Sequence, residues 1–66
     1  MDIEEIRIKR KIKKLVNGML QHTTLEHFVQ GLDMIAFSMR NLPVCKWEAF
    51  IDVELEALER VVARHE

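Results

Sequence analysis

Ile8, Ile12, Leu15, Val16, Met19 and Leu20 recur at steps of three and four residues, the interval at which an α-helix returns to the same face. Asp2 followed three residues later by Glu5 has capping-box spacing, so the pattern predicts a first helix over about residues 3–20. Asn17-Gly18 interrupts the propensity without interrupting the stripe, since Met19 and Leu20 continue it. Leu25, Phe28, Val29, Leu32, Ile35, Ala36, Met39 and Leu42 form a second stripe behind Thr23 and Glu26, another capping-box pair, and predict a helix over about 24–40. Asn41-Leu42-Pro43 ends it, because the residue before a proline is pushed out of the helical region while proline itself suits a first helical turn. A third helix is expected over about 43–64, with a wide stripe running from Val44 through Trp47, Phe50, Ile51, Leu55 and Leu58 to Val62. No segment alternates apolar and polar residues as a half-buried strand would, and no repeat or low-complexity tract divides residues 1–66.

The expected fold class is therefore all-α: three helices joined by short loops into an antiparallel bundle. Size adds a condition. A chain of 66 residues buries only about 60% of its unfolded surface, and the stripe of its third helix is broad enough to face two neighbours. Completion of the interior by a second copy, as a homodimer, is the expectation that follows.

Charge sharpens the picture because it is partitioned along the chain. Residues 1–22 carry +3, residues 23–40 carry −1 and residues 41–66 carry −3, within a formal net charge of −1. Six of the ten Lys and Arg lie in the stretch RIKRKIKK, residues 7–14. Helical spacing puts Arg7, Arg10, Lys11 and Lys14 opposite the apolar stripe and leaves Lys9 and Lys13 beside it. On the third helix Glu48, Asp52, Glu56 and Glu59 stack into an acidic ridge whose internal repulsion an opposing cationic row would relieve. The expected inter-helix electrostatic set is Lys9 and Lys13 against Glu48, Asp52, Glu56 and Glu59, in the same chain or across a dimer.

Arg7, Arg10, Lys11 and Lys14 are then free to meet a partner, together with Met34 and Phe37, which lie three apart on the side of the second helix away from its main stripe. Glu54 falls inside the third helix's apolar stripe and reads as a buried polar residue that needs a partner or water.

Catalytic and metal chemistry find little footing. His22 and His27 are five apart and point to different faces, the single Cys45 cannot form an internal disulfide, and no nucleophile, base and orienting group stand together. No catalytic residue, metal or cofactor is assigned. No apolar run approaches the roughly 20 residues that span a membrane, and the lone cysteine fits a reducing, cytoplasmic setting. The functional expectation is a non-enzymatic protein–protein interaction module, an adaptor, inhibitor or regulator, that works as a helical homodimer upon an unidentified protein partner. The alternative is a nucleic-acid-binding regulator using the basic face of the first helix. Against that stand a pI near 6.3 and the lack of any aromatic residue among the cations to stack on bases.

Overall fold

The computed structural model describes residues 2–65, apart from the side chain of His65. Three α-helices follow one another: α1 (Ile3–His22), α2 (Leu25–Asn41) and α3 (Trp47–His65), with a single 3₁₀ turn, Val44–Lys46, leading into the last. There is no strand among the described residues.

The first helix begins where the sequence predicts, with the Asp2 carboxylate accepting from the backbone N–H of Glu4 at 3.1 Å and Glu4 and Glu5 in its first turn. It runs two residues further than expected, through Gly18 to His22, and Thr23 closes it: both the hydroxyl and the backbone N–H of Thr23 donate to the carbonyl of Met19, at 2.6 and 3.0 Å. Thr23 is therefore the last cap of α1 and not the first of α2. That role falls to Thr24, whose hydroxyl accepts from the N–H of His27 at 3.3 Å.

Pro43 does not open α3 directly. Its φ of −63° suits a helical first turn, but its ψ of 149° keeps it extended, and a 3₁₀ turn intervenes before Trp47. The Trp47 indole N–H donates to the carbonyl of Met39 at 2.8 Å. The start of α3 thus satisfies a terminal carbonyl of α2 and fixes the corner between them.

Helices α1 and α3 form the principal packing pair, and they run parallel: Arg7 and Lys11 meet Glu48 and Asp52, and Gly18 lies against Leu58. Helix α2 connects them by running back along the edge of this pair in the opposite direction, so the architecture is up-down-up. Ile8, Leu15 and Ile51 form the buried core, at 9%, 2% and 0% exposure. The two glycines mark close approaches. A Cβ at Gly18 would overlap a terminal methyl of Leu58, and one at Gly31 would press on the end of Met19, so each permits a neighbouring helix to come near.

Burial is distributed against expectation. Of the three helices α2 is the most apolar, yet none of its residues is buried, whereas the highly charged α1 supplies two of the three core residues. Leu25, Val29, Met34 and Phe37 on α2 are exposed, as are Val53 on α3 and Leu20 at the end of α1.

Candidate functional site

The charged seam between α1 and α3 holds the inter-helix ion pairs found among the described residues. Arg7 forks onto Glu48, its Nε donating to Oε2 at 2.5 Å and its Nη2 to Oε1 at 3.0 Å. Lys11 completes the cluster, reaching Glu48 Oε2 and Asp52 Oδ1 at 2.9 Å each. Two cations on one helix thus neutralise two carboxylates a turn apart on another, and the bidentate Arg7 contact sets the rotation of α1 as well as its height. The two hydrogen bonds, from Arg7 first and Lys11 second, hold the Glu48 carboxyl below its ordinary range. The same contacts raise Lys11, through Glu48 and then Asp52, and raise Arg7 through Glu48.

This corrects the expected pairing. Within the chain Arg7 and Lys11, expected at a partner surface, face the acidic ridge, while Lys9 and Lys13 do not. Lys9 turns back along its own helix to Glu5 at 3.0 Å, and Lys13 has no ion pair among the described residues. The physical reason is the direction in which α1 buries its stripe. Ile8 and Leu15 point inward while Leu20, on the far edge of the same stripe, stays 56% exposed. The helix is rolled towards the Arg7 and Lys11 side.

Only the first half of the acidic ridge is used between helices. Glu56 pairs within its own helix to Arg60, loosely at 3.9 Å, and Glu59 has no ion pair among the described residues. The basic run of α1 ends at Lys14, which lines the same α1–α3 groove as Glu59 without closing onto it.

Glu54 is half-buried and not buried. It borders a crevice where the three helices meet, beside Met19, Ile35 and Phe50, and its carboxylate has no ion pair or hydrogen bond among the described residues. Among the described residues no buried side-chain polar atom is left without a partner, so this carboxylate reaches water. Met34 borders the same crevice and is 72% exposed, and Phe37, one turn on, is 62% exposed. Arg10 lies on the outside of α1 and Lys14 at the edge of the α1–α3 groove, both exposed and without ion pairs among the described residues.

The remaining chemistry is sparse. Cys45 sits exposed in the 3₁₀ turn. No group of three His, Cys, Asp or Glu side chains converges among the described residues, and no helix there is long and apolar enough to cross a membrane. Leu20, Leu25, Val29, Val44 and Val61 sit within stripes that read as core and are nevertheless exposed, and Val53, outside the stripe of the third helix, is exposed as well. No protein-family model matches the chain, and neither a curated protein nor a solved structure matches it.

Proposed function

We propose that this chain is a small, non-enzymatic interaction module that completes its interior with a second copy and acts by occupying the surface of a partner protein. The observation that carries the reading is the inverted burial of α2. A helix that is apolar on several sides belongs inside a particle, and here it lies at the edge of one chain with Met34, Phe37, Leu25 and Val29 uncovered.

The areas agree with this. The chain exposes 5332 Å², whereas a monomeric protein of its 7.8 kDa exposes roughly 4,400 Å² by the usual scaling with mass. The surplus of roughly 900 Å² is close to the about 800 Å² that each partner contributes to a standard stable interface. The radius of gyration, 12.2 Å, likewise exceeds the about 11 Å of a compact chain of this length.

The phosphate-binding reading is weaker on geometric grounds. It counted on Arg7, Arg10, Lys11 and Lys14, and two of those four are turned to the acidic ridge of α3. Analytical ultracentrifugation across micromolar concentrations tests the proposal, with a dimer expected. Met34→Asp with Phe37→Asp should shift the equilibrium to monomer while far-UV circular dichroism stays helical. A wild-type chain that sediments as a monomer at high micromolar concentration refutes the dimer.

A further inference from the structure

A second surface differs from the α2 edge in kind. Ile6, Lys9, Arg10 and Lys13 follow one another at i, i+3, i+4 and i+7, so they form one stripe on the outside of α1. With Ile12 they line an open groove whose floor is the half-buried pair Ile6 and Ile12 and whose rim is cationic. Lys9 is engaged by Glu5. Arg10 and Lys13 are exposed and have no ion pair among the described residues.

From this juxtaposition we infer that the outer face of α1 is a docking groove for an acidic amphipathic helix of another protein: apolar side chains of that helix seat on Ile6 and Ile12, and its carboxylates meet Arg10 and Lys13. Charge complementarity selects the partner. Lys and Arg at heptad-related positions beside an apolar floor are the counterpart of Glu at the flanks of an apolar seam. In a second copy of this chain Glu48 and Asp52 are committed to Arg7 and Lys11 and Glu56 to Arg60, which leaves carboxylates such as Glu26, Asp33 and Glu59 to offer. If Arg10→Glu with Lys13→Glu dissociates a dimer that the wild-type chain forms in sedimentation, the groove belongs to self-association and the inference is overturned. A nucleic acid is a poorer occupant, since phosphates would satisfy the rim and leave the isoleucine floor uncovered, and no aromatic residue stands in the groove to stack on a base. The inference deepens the reading of the chain as an interaction module by naming the partner's chemistry, and it does not depend on the dimer.

The test is fluorescence anisotropy at low salt with three labelled probes: a designed peptide with Leu at a and d and Glu at e and g of successive heptads, a scrambled peptide of identical composition, and a short DNA duplex. The amphipathic peptide is expected to bind at least about tenfold more tightly than either other probe, and Arg10→Glu with Lys13→Glu to weaken it by about tenfold or more. Arg10→Gln with Lys13→Gln should give a smaller loss in the same direction, so the inference stays testable if the charge reversal unfolds the chain. Equal binding of the scrambled peptide, tighter binding of the duplex, or indifference to both double variants overturns it. Sedimentation of the unliganded chain separates the two proposals. A monomer that still binds the peptide removes the dimer alone, and a dimer that ignores the peptide removes the groove alone.

Discussion

Trimming Ile51 to Ala tests whether the three-residue core described above holds the chain together. Ile51 is wholly enclosed, with Leu15 and Ile8 the other buried residues among those described. The substitution removes the equivalent of three methylene groups, worth about 0.8 kcal/mol each on transfer from water. The cavity left behind brings the loss to about 3 kcal/mol, within the range of about 2–5 kcal/mol for such truncations. A single core in a chain of this size supplies rarely more than about 3–5 kcal/mol in all, so Ile51→Ala should stand close to its unfolding midpoint in plain buffer. Two controls fix the interpretation. Ile51→Val should cost only about 1 kcal/mol. Val53→Ala, two residues along but 61% exposed, should stay within about 0.5 kcal/mol in dilute solution. Urea unfolding followed by circular dichroism, at one fixed protein concentration because association would add to apparent stability, provides the three numbers. A loss below about 1 kcal/mol for Ile51→Ala would mean that the chain's stability does not rest on the α1–α3 core.

The glycines divide by what faces them. Gly31→Ala should stabilise by about 0.5–1 kcal/mol, because the Met19 methyl it meets is the end of a flexible side chain, whereas Gly18→Ala should lose that gain to Leu58 in the α1–α3 contact; thermal melts of the two variants check the contrast. Thr24→Ala removes the cap of α2 and should cost about 1 kcal/mol, and the corresponding Thr23→Ala should destabilise the end of α1, as amide exchange at Met19–Thr23 would report. The α1–α3 seam should give a defined pH response. The Glu48 pKa is depressed in the folded chain, so its contribution is present above the ordinary 4.5 and is lost as the pH falls through and below that value. The Lys11 pKa is raised, so its contribution is present below 10.5 and is lost as the pH rises past it. Glu48→Gln should therefore flatten the acid limb of stability against pH, and an unchanged acid limb would place the titrating contact elsewhere.

How much of this was legible in the sequence depends on the quantity asked for. The three helices follow from stripes, caps and Pro43, since those signals are local. The threonine pair shows the limit of local reading: Thr23 and Thr24 both precede the second stripe, Thr23 has the Glu26 spacing, and only the chain path decides that Thr23 bonds back to Met19 while Thr24 faces His27. Helix roll is less legible still. The α1 stripe is wide enough to face two neighbours, and whether Lys9 and Lys13 or Arg7 and Lys11 meet α3 depends on which edge of that stripe is buried. Burial of Ile8 and Leu15 with exposure of Leu20 settles it. Composition gave no warning that the most apolar helix would be the least covered, because a stripe records which side prefers to leave water and not whether enough chain exists to cover it.

Charge and apolar surface therefore have separate tasks in this fold. The Arg7–Glu48–Lys11–Asp52 cluster lies largely within reach of solvent, where screening keeps its net stabilisation modest. What it supplies is direction. The forked Arg7 contact and the two-carboxylate grip of Lys11 are compatible with α1 and α3 lying parallel in this register, and a slip by one turn along α3 would set Arg7 against the shorter Asp52, Lys11 against Asp52 and Glu56, and leave Glu48 unmatched. With α1 and α3 locked by polar pairing over a small buried core, α2 is positioned by Trp47, Thr24 and its inner face alone, and its other sides are left in water. A chain selected only to fold by itself would place its most apolar helix where its own core could cover it. This one does not: the faces of α2 left in water and the outer cations of α1 left out of the inter-helix pairing are two separate surfaces.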